Sequence, residues 1–450
     1  MISHMDTHAD RVDEIIAQLR DAPSGVPLSL HKHTVPHQVP KAHDLRRHDA
    51  RVDIGALVEI LTIDPVKRLC VAEPGVTFER LVAATLAYGL VPIVVPELAT
   101  ITIGGAVAGC SIESMSWKRG GFHDTCLAYE VITTTGEVLT CTRDNEHKLV
   151  FEMMHGSFGT LGVLSKLTFE LVPATPFVHL IYETYTNLPA FQAAVQHHVD
   201  TADLDFMDGI IHSPTCFVLA AGHFVTAAPY TSRYDWMKVY YQSTRQRRED
   251  YLRTTDYLFR YDRGVTNVRP KSFVGRLLFG KWLTSTRWLQ LAEAMPWLLR
   301  DRHPTVTVDV FVPSSRVPTF LDWYDREIGF YPLWCVPYRR VRDYPWLTDQ
   351  FWRGVDDQMF YDLAMYGLRQ PHDRNYHRMI ELELERLGGI KTLISHNYYG
   401  EKEFWSVWNK PNYDAVKAIT DPAHRFRDLY EATCRAAMGH VSELPPPASS

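Results

Sequence analysis

The chain has 450 residues, 46% of them hydrophobic and 22% charged, with a formal net charge of −6. So nearly neutral a balance over that much apolar material excludes a disordered polyelectrolyte, and it argues against a dedicated nucleic-acid binder, which carries a basic excess. At about 150 residues per domain, two or three domains are expected.

In chain order, Asp6 to Leu19 has the spacing of an amphipathic helix, with Val12, Ile15, Ile16 and Leu19 on one face. Residues 24 to 50, polar and rich in Pro and His, read as loop. Ile60-Leu-Thr-Ile63 and Leu69-Cys-Val-Ala72 read as a hairpin about Asp64-Pro65. Thr77 is placed to cap a helix carrying Leu81, Val82, Thr85 and Leu86 and stopping at Gly89. Leu90 to Val95 is a buried strand, followed by a glycine-rich loop. Tyr129–Thr134 and Val138–Thr142 form a second hairpin, and Val163 to Val172 a further strand. Beyond Pro173-Ala-Thr-Pro176 the character changes. Strand-like runs at 217–221 and 306–312, the latter with alternating Val, mix with segments dense in Tyr, Arg and Trp, and 375–387 reads as a helix closed by Gly388-Gly389. The tail 441–450 is expected to be disordered.

The seven cysteines stand singly, with no C-x-x-C, as expected of free thiols in a reducing cytoplasm. No secretory leader is read at the N-terminus, and no uninterrupted apolar run reaches the roughly 18 residues of a bilayer span. The segment 273–300 mixes Trp, Leu, Lys and Arg as an interfacial helix does, though a core helix with a cationic flank reads alike. Aromatic residues, 12% of the chain, suit a pocket for an apolar or planar ligand as well as an ordinary core.

The chemistry concentrates between Val95 and Ser114. Gly104-Gly105 follows a strand, Gly109 comes next, and Ser111 and Ser114 close the stretch. Glycine lacks a Cβ, so such a loop exposes backbone N–H groups and lets a diphosphate lie against the chain; a tight structural turn is the other reading. The spacing is neither G-x-G-x-x-G nor a P-loop. A second stretch, Gly156-Ser-Phe-Gly-Thr-Leu-Gly162, precedes a strand. Two such stretches in one domain point to one large cofactor touching both. The H-x-H of His31 and His33 is read as polar loop, and no metal site is expected.

The order Pro74-Gly75-Val76-Thr77, Pro96-Glu97-Leu98, Ile103-Gly104-Gly105, Ser111-Ile-Glu-Ser114, Gly120, Ala128-Tyr-Glu-Val131, Gly136 and Gly159-Thr-Leu-Gly162 resembles the vanillyl-alcohol-oxidase-type (PCMH-type) FAD-binding domain. More narrowly it resembles the Δ24-sterol reductase branch, which includes actinobacterial reductases of methylene-branched fatty acyl chains. Weaker likeness continues through 330–335, 397–399 and 403–405, and Asp421-Pro422…Phe426 resembles the segment by which this superfamily returns to its FAD domain. The resemblance implies an α+β fold: a two-subdomain FAD-binding domain plus an α+β substrate (cap) domain. Its boundaries would be 1–50 for an N-terminal helix and loop, 51–173 for the FAD domain, 174–395 for the cap, and 396–440 for the returning segment.

The resemblance implies FAD held by Thr102, Gly104, Gly105, Gly109, Ser111, Ile112, Ser114, Gly120, Gly159, Gly162 and Val163, with Ser29–Lys32 at the position of the family's first diphosphate loop. His31, His33, His37 and His123 are the histidines near enough for a covalent tether, but none has the R-[ST]-G-G-H context of the oxidases, so non-covalent FAD is expected. The implied activity is reduction of an unactivated C=C bond in a lipid, with NADPH as a transient reductant. Such chemistry needs a desolvated acid, and Glu97, Glu113 and Tyr398 are the catalytic candidates, with Tyr399, His396 and His123 in reserve. An FAD oxidase or dehydrogenase of an alcohol or sugar, and a flavin-free lipid-binding protein, stay open as alternatives. Animal and plant members of the branch carry an N-terminal membrane anchor that is not read here. The expectation is therefore a cytoplasmic enzyme, with peripheral membrane contact left open.

Overall fold

A computed structural model describes residues 7–35, 37–39, 41, 44–235, 238–262 and 304–434. The 273–300 segment and the 441–450 tail lie outside the described residues. The fold is α+β, built on two antiparallel sheets that share one continuous core.

The first sheet runs in the order Ile60–Asp64, Leu69–Ala72, Val163–Pro173, Cys126–Ile132, Val138–Thr142, with Leu90–Pro92 also paired to Val163–Pro173. Both hairpins expected from alternation and turn residues are present. The helix Phe78–Leu86 is capped by Thr77 and packs Phe78, Leu81 and Val82 into the core, and Gly89 beyond its end takes a positive φ of 68°.

Two expectations need correction here. The stretch after the short strand Leu90–Pro92 is not a plain loop, because Ile103–Ala108 is a helix whose start Thr102 caps. Residues 24 to 50 are not all loop either: Leu28–His31 is a strand, paired in parallel with Ala50–Asp53. Parallel partners are joined by a long excursion rather than a turn, so local composition carries no signal for them.

The second sheet has eight strands, in the order Glu249–Arg253, Phe177–Tyr185, Cys216–Val225, Phe206–Ser213, Leu333–Arg339, Met359–Leu368, Val306–Pro313, Ile390–Lys391. Its outer face buries Val306, Val308, Val310 and Val312 against helices Leu188–Thr201, Val317–Glu327 and Tyr376–Leu387. Its inner face, including Trp334, Val336, Ala364 and Tyr366, merges with the core of the first sheet. The period of two therefore sends Thr307, Asp309 and Phe311 toward the gap between the sheets.

The C-terminal segment comes back to the first sheet. Thr134 N donates to Thr420 O at 2.8 Å, Asp421 accepts from Thr134 Oγ1 at 3.0 Å, and Phe426 bridges to Leu28. The N-terminal helix His8–Asp21 docks on the same region, with Val12, Ile15 and Leu19 packed against Val52, Val163 and Phe426.

Candidate functional site: a cleft between the two sheets

One cavity of about 2190 Å³ separates the glycine stretches from the inner face of the eight-stranded sheet. Thr102, Gly104, Gly105, Gly109, Ser111 and Ile112 form one wall, continued by Gly159 and Gly162. The two stretches are joined directly: Gly156 N donates to Val107 O and Phe158 N to Ala108 O, both at 3.2 Å.

The glycines work differently from the exposed N–H donors anticipated above. Gly104 N donates to Pro74 O at 2.9 Å and Gly105 N to Thr102 Oγ1 at 3.3 Å, so the start of the helix uses both. Their value is closeness. A Cβ on Gly104 would stand 2.5 Å from Pro74 Cβ, and Gly159 holds a φ of 76° that an L side chain rarely adopts.

Not every residue assigned to FAD lies on the cavity. Ser114 is buried in the seam between the sheets, where its hydroxyl donates to Glu113 and accepts from Tyr257 OH at 3.0 Å. Gly120 ends the short helix Ser116–Arg119 at a φ of 76°, packed against Asp124. Val163 sits behind the wall in the core beneath the N-terminal helix.

The acid candidates separate in the same way. Glu97 opens onto the cavity, and burial together with the charges of Asp309, Glu113 and Asp262 pushes its carboxyl up to about 8. Glu113 points away: its Oε1 lies 2.8 Å from Arg260 Nη2, and Arg260 Nη2 is also 3.0 Å from Asp208 Oδ2. Tyr398 is buried outside the cavity, its backbone N–H donating to Glu381 Oε1 at 3.0 Å. Tyr399 packs against Phe404 and Trp408, and His123 is buried against Tyr344 and His155. His396 does line the cavity.

Four carboxyls on the cavity were not singled out from sequence: Asp44 and Asp49, which pair with Arg46 and Arg427, and Asp309 and Asp362 on the eight-stranded sheet. Burial raises Asp309 to about 6 although Tyr366 donates a hydrogen bond to it, and burial with the charges of Asp309 and Glu97 holds Asp362 well above its ordinary range. Their signal was legible: Val306-Thr-Val-Asp-Val-Phe-Val312 and Met359-Phe-Tyr-Asp-Leu-Ala-Met365 each place one acid in a strand otherwise almost free of charge.

The mouth of the cavity is lined by Leu28–Thr34 and by Lys41, Arg46, Arg47, Arg51 and Arg427. His31, His33 and His37 are all on this side. Burial and the nearby Lys32 charge depress His37 to about 4, so its ring is neutral at pH 7. His33 Nε2 lies 3.0 Å from Asp53 Oδ2, and His31, His33 and Asp53 bring their donor atoms within 4.8 Å of one another. The His33–Asp53 pair accounts for this grouping without an ion.

Residues 40–142 match the family described as FAD binding domain. The chain carries an FAD-binding domain. Over 405 residues it is 26% identical to the Delta(24)-sterol reductase of Homo sapiens, covering 85% of this chain and 77% of that one. The Delta(24)-sterol reductase of Arabidopsis thaliana is 26% identical over 476 residues, covering 94% and 84%. Cytokinin dehydrogenase 7 of Oryza sativa is 28% identical over 130 residues, 28% of this chain and 25% of that one. These matches make the chain a flavoprotein of the oxidoreductase class.

The cleft fits the cofactor. Gly105 leaves its backbone open on one wall: a Cβ there would meet only Thr102 Oγ1 at 3.1 Å and Lys32 Nζ at 3.8 Å, so a ligand can lie close and a cation stands at the same spot. Thr34 Oγ1 and His37 Nδ1 are buried polar atoms on this side with no hydrogen-bond partner among the described residues, and a polar ligand would satisfy them. Among the described residues, no helix is long and apolar enough to cross a membrane.

Proposed function

We propose that this flavoprotein reduces an unactivated carbon–carbon double bond in a lipid, a sterol side chain or a methylene-branched fatty acyl chain, with NADPH as the electron donor. The observation that carries the reading is Glu97, a carboxyl held up to about 8 on the same cavity as the FAD wall. An isolated alkene has no carbonyl to absorb negative charge, so its reduction needs a proton from a real acid, and a carboxylate ionised at pH 7 supplies none. When bound and reduced by NADPH, FAD would supply hydride chemistry; the Glu97 carboxyl would hold the proton at the cavity and give it to the carbon that does not take the hydride.

The residues around Glu97 serve this step. Val95 and Leu98, its near neighbours in the chain, are buried, and the burial of the carboxyl favours its neutral form. Trp334 and Tyr366 line the same cavity from the eight-stranded sheet, where aromatic faces tolerate the positive charge that develops as the alkene is protonated. Trp334 is fixed by its Nε1, which donates to Asp208 Oδ2 at 2.9 Å.

The test is to load the purified protein with FAD and mix it anaerobically with NADPH, then with candidate lipids. Bleaching by NADPH and recolouring by an alkene lipid are expected. Glu97→Gln should bleach normally and lose at least about 100-fold in lipid turnover, the usual worth of a positioned acid. Indifference to NADPH, with rapid oxygen uptake on an alcohol or sugar, would sink the reading in favour of an oxidase.

A further inference from the structure

We infer that Glu97, Asp309 and Asp362 act as one acid, three carboxyls lining a single cavity that hold a shared proton, pass it to Glu97 after each transfer and take its replacement from water entering the cavity. The proposal rests on the reading above only for what the proton is used for. The cluster itself stands on geometry.

Asp309 pairs with Ala364, and Phe311 with Asp362, across two adjacent antiparallel strands. Asp309 and Asp362 are therefore diagonal neighbours on one face of the sheet, the face opposite the buried valines. Both line the cavity, as does Glu97 from the other domain. Asp362 is 2% exposed, and its Oδ1 has no hydrogen-bond partner among the described residues, an arrangement costly for a carboxylate and tolerable for a neutral acid.

Among the described residues, the groups that act on these carboxyls do little to offset three negative charges. Besides burial, Asp362 feels Asp309, Glu97 and the backbone of Val310, while Asp309 feels Tyr366 and Thr392. Glu97 feels Asp309, Glu113 and Asp262, each of which adds to the disfavour of its charge. The Cys335 thiol on the adjoining strand is itself raised by burial and by Asp362. Arg260, the nearest buried guanidinium, is committed to Glu113 and Asp208. Arg369, His372 and His396 line the same cavity. Like charges in a shared site do not all ionise together, so the group keeps at least one proton at neutral pH. Tyr366 OH donates to Asp309, which marks Asp309 as the member that gives up its proton most readily. Asp309 and Asp362 are thus positioning residues acting through Glu97.

The decisive measurement is infrared spectroscopy of the full-length, FAD-loaded protein, titrated between about pH 5 and pH 9 in H₂O and D₂O. A protonated-carboxyl band that shifts in D₂O is expected at pH 7, with one component lost in Glu97→Gln. In Asp309→Asn the Glu97 component should titrate at lower pH, by about one unit, because a like charge is gone, while Asp362→Asn, which removes a neutral acid, should delete one protonated-carboxyl component that persists to high pH. Tyr366→Phe keeps all three acids and should move the Asp309 component to higher pH, which serves if an Asn variant folds poorly. Absence of the band at pH 7, or a Glu97 midpoint unmoved in Asp309→Asn together with an Asp309 midpoint unmoved in Tyr366→Phe, overturns the proposal. If the band behaves as described while Glu97→Gln turns over lipid at the normal rate, the shared proton stands and the reductase reading fails.

Discussion

Arg260 ties the two sheets together, and replacing it by Met is the most informative single perturbation of the fold. The guanidinium is fully buried, 2.8 Å from Glu113 beyond the Gly104-Gly105 stretch and 3.0 Å from Asp208 on the eight-stranded sheet. It lies over the rings of Tyr257 and Tyr261 at 4.2 and 4.7 Å. Burial opposes its charge, but Asp208 and Glu113 outweigh it and hold Arg260 well above its ordinary value. Met keeps much of the side-chain length while stranding two carboxyls that are 3% and 1% exposed. Breaking such a pair by removing one partner costs about 3–5 kcal/mol. At about 2–4 °C per kcal/mol for an unfolding unit of 150–250 residues, the midpoint should fall by about 6–20 °C.

The deficit should also depend on pH, and the sign is fixed. A carboxyl whose folded value lies above its unfolded one binds its proton more tightly when folded, so stability falls as pH rises through that window. Glu113 is already raised by burial, with Arg260 the main restraint on the shift. Removing Arg260 widens the window, and the loss should be smaller near pH 5 than near pH 8. Thermal melts of wild type and Arg260→Met at both pH values provide the assay. A midpoint within about 2 °C of wild type at pH 8, or a deficit that grows on acidification, would refute the idea that the seam is held by ionised groups.

Two further outcomes are expected. Thr34→Val removes a buried hydroxyl that has no hydrogen-bond partner among the described residues, so the FAD-free protein should be no less stable; FAD should bind roughly five- to tenfold more weakly by equilibrium titration, the loss of about one hydrogen bond. Burial, mainly, depresses His37 and His123 to about 4, so between roughly pH 6.5 and pH 4 the unfolded chain binds the extra protons and stability drops as pH falls. His123→Phe should reduce that acid loss by at most about 3 kcal/mol in urea melts, and an unchanged slope would mean that His123 is not buried neutral.

How much was readable from residue order differs from element to element. Alternation, cap residues and turn glycines located both hairpins, the Thr77-capped helix and the Asn375-capped helix, because these depend on neighbours within a few positions. The glycine stretches announced themselves too, since only a special backbone tolerates Gly104-Gly105 followed by glycines at 156, 159 and 162. Which carboxyl faces the cofactor could not be read that way. Glu97 and Glu113 flank the same loop, but one opens on the cavity and the other meets Arg260, a residue about 150 positions away that the eight-stranded sheet carries to it. Likewise, period two told that Asp309 lies opposite the valines but not that Asp362 and Glu97 share its cavity, because strand order and the approach of two sheets are settled by contacts between distant segments. Local order follows from short-range sterics and hydrogen bonding; the acidity of a side chain follows from the charges and the dryness around it, and only the assembled fold supplies those.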